Sequence, residues 1–96
     1  MSSTKEYRDF VLEQLNLSDN ITFKPMMGEY LLYYKGVLVG GIYDNRLLIK
    51  MTDSNKKYGM EKVLPYTGAK PMYFVDEVDD KEKLKNIISE TYKDLI

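Results

Sequence analysis

The sequence contains no cysteine, no histidine and no tryptophan. Without cysteine there is no disulfide, no thiolate metal site and no thiol nucleophile. Without histidine the usual general base, the commonest metal ligand and the side chain that titrates near neutrality are all missing. Long apolar runs are lacking too: no stretch nears the roughly 18 residues of a membrane span. The start, Met1 to Glu6, has no basic group followed by an apolar run, so no secretory leader is expected. There is also no excess of one charge. Fourteen basic against fifteen acidic residues leave a net charge of -1, so bulk attraction to a phosphate backbone is not expected. These absences predict a cytoplasmic protein that is not an enzyme, carries no cofactor or metal, and avoids membranes and direct nucleic-acid binding.

What remains is a composition fit to fold. With 44% hydrophobic and 30% charged residues the chain reads as globular and not as disordered. Its 96 residues suit one domain, over 1–96, with a single core. Nine of its aromatic residues are tyrosine and three are phenylalanine, which gives large rings with polar handles.

Ser3 and Glu6 have the spacing of a capping box, and Tyr7, Phe10, Val11, Gln14 and Leu15 follow the rhythm of an amphipathic helix, predicted over 4–15. Asn16 to Asn20 is turn chemistry that ends it. Ile21 to Met27 reads as extended, and Pro25, having no N–H for a ladder, places it at a sheet edge. Three strand-like runs follow, Glu29–Tyr34, Val37–Tyr43 and Arg46–Met51, separated by Lys35-Gly36 and Asp44-Asn45. Two-residue separators of this kind accept positive φ and favour tight hairpins. Thr52 to Asn55 caps a short helical turn over Lys56–Tyr58, stopped by Gly59, and 63–71 is a loop rich in breakers. Met72 to Val75 is a short strand. Asp79 and Glu82 repeat the capping spacing before a last helix over 80–95, whose stripe is Leu84, Ile87, Ile88, Tyr92 and Leu95, with Asp80–Lys83 and Glu82–Lys85 as ion pairs on its wet side. The order predicts an α+β fold: a two-layer arrangement with an antiparallel sheet and helices on one face.

The hairpin turns set Tyr34 opposite Val37 and Tyr43 opposite Arg46. Propagated without interruption, this register divides the sheet into two faces. One carries Leu31, Tyr33, Leu38, Gly40, Ile42, Leu47, Ile49 and Met51 and is expected to face the core. The other carries Tyr30, Leu32, Tyr34, Val37, Val39, Gly41, Tyr43, Arg46, Leu48 and Lys50. From it, Tyr30, Leu32, Tyr34, Val39, Tyr43, Arg46, Leu48 and Lys50 form a candidate interaction surface, suited to a protein partner or a homodimer. The same face is equally a second, smaller core, or a surface covered by the loop 63–71. Two weaker candidates are the acidic run Asp76, Glu77, Asp79 and Asp80, and the lysines 56, 57, 62 and 70 near Tyr58 and Tyr66. The first reads as a solvated helix approach without calcium-loop spacing, and the second as a solvating connector rather than a strand-binding surface. Gly36, Gly40 and Gly41 match no phosphate-binding loop and point instead to a bulge or a close approach.

Three segments carry a resemblance: Met26-Met27-Gly28-Glu29-Tyr30, Tyr34-Lys35-Gly36-Val37 and Arg46-Leu47-Leu48-Ile49-Lys50. Together they resemble the N-terminal domain of the TfoX/Sxy competence-regulator family. Asp53-Ser54-Asn55 stands at that family's acidic turn and Met72 to Val75 at its late strand, so the likeness runs over about residues 5–95. Glu29 and Leu31 stand where many members carry glycine, and the second, helical domain of the full-length regulators has no counterpart in this sequence. The resemblance implies an α-β(3)-α-β(2)-α type of fold, similar to secretion-chaperone-like domains. It implies a non-enzymatic part in transcriptional regulation through contact with other proteins. A small-molecule-binding domain, using the tyrosine-lined face or the loop around Tyr66, is the alternative from another class.

Overall fold

The computed structural model describes residues 3–15 and 20–96. Helix α1 (Lys5–Leu15) leads into strands β1 (Ile21–Met26), β2 (Glu29–Tyr34), β3 (Val37–Ile42) and β4 (Leu47–Ile49). A 3₁₀ turn (Lys56–Tyr58), strands β5 (Glu61–Val63) and β6 (Met72–Phe74), and helix α2 (Lys81–Leu95) complete the chain. The six strands form one antiparallel sheet in the order β1-β2-β3-β4-β6-β5. The predicted α+β class, with both helices on one face of the sheet, is what the chain adopts. Proline-bearing β1 lies at the edge, as its missing N–H requires. The turn predicted over Asn16 to Asn20 falls, except for Asn20, outside the described residues.

Both two-residue turns form as expected. Lys35 and Gly36 take φ of 51° and 79°, and Asp44 and Asn45 take 53° and 56°, the paired left-handed conformations whose twist matches a hairpin. Tyr34 pairs with Val37, and Tyr43 and Arg46 exchange backbone hydrogen bonds of 2.9 and 3.0 Å.

Between the turns the register slips. Tyr33 pairs with Leu38, but Leu32 pairs with Gly40 and Tyr30 with Ile42, so Val39 is an extra residue in a β-bulge. A slip of one residue exchanges faces. The buried core therefore joins Leu32 and Val39 to Ile42, Leu47 and Ile49, with Val11 and Leu15 from α1 and Leu84, Ile87 and Ile88 from α2. Tyr30 and Tyr34 pack against this cluster. This corrects the expected division: Leu31, Tyr33 and Leu38 leave the core face, and Tyr30, Leu32, Tyr34 and Val39 join it.

The glycines after the bulge are required by contact. A Cβ on Gly40 would collide with the Leu48 carbonyl oxygen. One on Gly41 would lie 2.6 Å from the Tyr30 carbonyl oxygen and 2.8 Å from Cε2 of Tyr43. The close approach is by neighbouring strands and a tyrosine ring.

The caps differ from the expected ones. Thr4 caps α1, its Oγ1 accepting from the Tyr7 amide at 3.1 Å, and Ser3 turns elsewhere. Asp80, and not Asp79, caps α2 by accepting from the Lys83 amide at 3.1 Å. Lys83 pairs with Glu77 instead of Asp80, and no Glu82–Lys85 ion pair forms among the described residues. The stop at Gly59 is as read, with φ of 64°. Asn55 does not cap the 3₁₀ turn with its side chain. It is fully buried, with Oδ1 accepting from the Thr52 amide at 3.0 Å and Nδ2 donating to the Lys50 carbonyl and to Thr91 Oγ1. Strand β5 begins before the loop predicted from residue 63, and its three residues are too few for a readable alternation.

Substituting Gly40→Ala is expected to lower stability by about 1–3 kcal/mol through overpacking against the β4 backbone. Urea unfolding checks this: the midpoint should fall with an unchanged slope, and an unmoved midpoint would contradict the contact.

Candidate protein-interaction surface

The helices cover one face of the sheet and leave the other to the loop between β5 and β6. On that open face Tyr43 leans over Gly41 and is only 7% exposed. The Tyr66 ring lies 6.3 Å from the Tyr43 ring at 50°, an arrangement within the range of favourable aromatic pairs. Arg46 ties the loop down: Nε donates to the Tyr43 carbonyl at 3.3 Å and Nη2 to the Leu64 carbonyl at 3.2 Å. Pro65 is buried beneath, while Tyr66 is 61% and Leu64 50% exposed. Burial, then the neighbouring Tyr66 and Glu29, raise the Tyr43 phenol above its ordinary pKa.

Three concavities meet here. The largest, about 460 Å³, is lined by Leu38, Tyr43, Lys50, Met51, Tyr66 and Lys70 among others. A second, about 430 Å³, is bordered by Glu29, Asp44, Arg46 and Thr67, and a third, about 420 Å³, by Met26, Met27 and Tyr43. All three have Pro65 and Tyr66 in their lining and adjoin one another around that wall, a trough with three bays. Met27 stands almost fully exposed at its far end.

One polar clasp holds that end in place. Glu29 Oε1 accepts from the Ser3 amide at 2.8 Å and the Ser3 hydroxyl at 2.7 Å, while Oε2 accepts from the Asp44 amide at 2.9 Å. Ser3 Oγ accepts in turn from the Asn45 amide at 3.1 Å, and Asn45 Oδ1 accepts from the Thr4 amide at 2.8 Å. The start of α1, the β1–β2 turn and the β3–β4 turn are thus joined. Glu29 supplies both of its carboxylate oxygens to this clasp.

The eight residues predicted as one interaction surface are divided between the two sides of the sheet. Tyr30, Leu32, Tyr34 and Val39 lie under the helices: Leu32 and Val39 are fully buried, and Tyr34 meets Tyr92 of α2 edge-on at 5.1 Å. Leu48, opposite Gly41, is fully buried too. Tyr43, Arg46 and Lys50 are the members that border the trough. The sequence surface omitted Leu38, Pro65, Met26 and Met27. The breaker-rich composition of the loop and the ring of Tyr66 were its available signals.

Of the other candidates, Lys56, Lys57, Glu77 and Asp80 are tied into the fold. Lys57 Nζ pairs with Glu90 Oε1 at 2.6 Å, Tyr58 Oη donates to Glu90 Oε2 at 2.6 Å, and Lys56 pairs with Asp53. These contacts fasten the 3₁₀ turn to α2 and commit the two lysines to carboxylates. Desolvation, then the Glu90 carboxylate, pushes the Tyr58 phenol up to about 12. Lys57, then Tyr58, holds Glu90 below its ordinary pKa. Glu77 and Asp80 of the acidic run serve Lys83. Among the described residues no group of three or more acidic side chains is placed to hold a metal ion.

A two-layer α+β domain with helices on one face and a clasped, tyrosine-walled trough on the other defines the class of protein. The family described as the TfoX N-terminal domain matches residues 13–95, and the chain belongs to that family. It is also similar to an uncharacterized 12.7 kDa protein in the trpE 5' region of Spirochaeta aurantia, with 34% identity over 80 residues, covering 81% of this chain and 70% of that protein. No solved structure matches. No helix among the described residues is long and apolar enough to cross a membrane.

Two outcomes follow from these contacts. Glu29→Ala leaves the Ser3 hydroxyl and the Asp44 amide without this acceptor, while the Ser3 amide keeps the Gly28 carbonyl at 3.1 Å, and a loss of about 1–3 kcal/mol in urea unfolding is expected; unchanged stability would count against the clasp. Raising the folded-state pKa of Tyr58 from 10 to about 12 makes its proton a source of stability below pH 10 that is lost as pH rises toward 12. Tyr43 is raised as well, so an ultraviolet phenolate titration should show a last step, near pH 12, that disappears in Tyr58→Phe. A wild-type titration without that late step would refute the assignment.

Proposed function

We propose that this chain is a non-enzymatic regulatory module that works by contact with another protein, through the trough around Tyr43 and Tyr66. Membership of the TfoX N-terminal domain family supports the regulatory part of this reading. The contact surface rests on one observation: an open sheet face where Tyr66, Leu64 and Met27 are exposed around a fixed wall. Tyrosine and methionine are enriched in interface cores because they bury large flexible or aromatic surface at modest cost. The absence of histidine and cysteine supports a non-enzymatic role. In this reading the module acts in a bacterial cytoplasm as the protein-contact part of transcriptional control, without touching nucleic acid itself.

A second reading, a small-molecule site in the same trough, is favoured by the roughly 460 Å³ of its main concavity, a size within the usual range for ligand pockets.

A photocrosslinking residue in place of Tyr66, compared with one in place of the exposed Lys85 on α2, tests the main reading in host cells. Nuclease-resistant adducts to a discrete set of proteins are expected from position 66 and not from 85. Adducts equally frequent at both positions, or none at 66, would remove the trough as the contact surface.

A further inference from the structure

The trough is electrically lopsided. Its main concavity is bordered by two cations, Lys50 and Lys70, and by no carboxylate. No ion pair is made by either lysine among the described residues, in contrast to Lys56, Lys57 and Lys83. A neighbouring branch is bordered by the carboxylates of Glu29 and Asp44 and by the guanidinium of Arg46. There Glu29 is already engaged through both oxygens, so its charge is held in place. Between the ends lie Tyr43, Pro65 and Tyr66, with Arg46 directed at backbone carbonyls.

Resting on the contact surface proposed above, we infer that the trough receives an extended peptide segment of the partner, acidic at one end and apolar beyond it. Its carboxylates lie against Lys50 and Lys70, and its apolar side chains lie against Tyr43, Tyr66 and Pro65. Three features select this occupant. The main concavity sets two cations beside the apolar wall of Tyr43, Pro65 and Tyr66, which suits a chain carrying carboxylates next to apolar side chains. The cations at one end attract carboxylates, and the fixed carboxylates at the other repel them, which gives the segment a direction. A nucleic-acid strand carries a phosphate at every nucleotide and would set some of them against Glu29 and Asp44, at a cost that two lysines do not offset.

The test uses short fluorescein-labelled peptides that share one pattern of Leu and Phe. Their remaining positions at one end are filled with Asp and Glu, with Ser and Gln, or with Lys and Arg. Fluorescence anisotropy with the full chain should rank the acidic peptide about tenfold above the basic one, as two partly exposed ion pairs imply, and added salt should narrow the gap. The variant Lys50→Glu/Lys70→Glu, checked for an unchanged circular dichroism spectrum, should invert the ranking. Tyr66→Ala, at an exposed position, should weaken all three peptides together. Equal binding of the three, a ranking that survives charge reversal, or tighter binding of an oligothymidine strand would each overturn the inference. So would a dimer in sedimentation that the double charge reversal dissolves, since a second copy would then occupy the trough. Crosslinking from position 66 with no preference for acidic peptides would reject the segment's chemistry alone. Failure of both would remove the contact surface as well.

Discussion

One extra residue in β3 decides how this protein is arranged. The bulge at Val39 lets the first half of β2 and the second half of β3 turn the same apolar side toward the helices, although the two hairpin turns alone would set them on opposite sides. Gly40 and Gly41 make it possible, because neighbouring backbone stands where their side chains would be. The core cluster of Leu32, Val39, Ile42, Leu47 and Ile49 exists only in this register. Tyr43, one residue past Ile42, stands on the open side over Gly41, where it becomes the floor of the trough. The bulge thus decides which residues of β2 and early β3 are withdrawn from the open side.

The second organising element is polar. The clasp around Glu29 gathers the helix start and two turns through five hydrogen bonds, and the buried amide of Asn55 gathers β4's exit, the 3₁₀ turn and α2. Both use a short side chain with several lone pairs or donors to satisfy groups at places where regular ladders end. The clasp stands beside the trough and holds its rim. Asn55 and the Glu90 contacts do the same for the helix layer, so each face of the sheet is fixed by its own set of polar contacts.

Local chemistry was legible in the sequence, and nonlocal geometry was not. Lys35-Gly36 and Asp44-Asn45 identified their turns and the pairing beside them, because positive φ is a property of those residues alone. Pro25 marked its edge strand and Gly59 its stop for the same reason. The whole-length family pattern also gave the fold class. The division of faces failed because a bulge is a decision between two strands, and the paired glycines signalled its place without its phase. Ser3 and Asp79 had the spacing of caps, but tertiary partners and a neighbouring oxygen took the roles. The surface inherited the error in phase: Leu32 and Val39 went inside, while Tyr43, Arg46 and Lys50 stayed at the trough. Pro65 and Tyr66 reach that trough through a loop anchored by Arg46 to carbonyl oxygens, a contact with no sequence spacing of its own.

The placement of α2 has a consequence during synthesis. Strands β1 to β4 are joined by short connections and pair with one another from residues made early, while β6, the other neighbour of β4, and Leu84, Ile87 and Ile88 of α2, which cover their apolar side, are made later. Until α2 docks, Leu32, Val39, Ile42, Leu47 and Ile49 have only α1 to cover them. Exposed apolar surface of this kind is what makes partly made chains stick to one another. The interval before α2 docks is therefore when the sheet is most open to other chains.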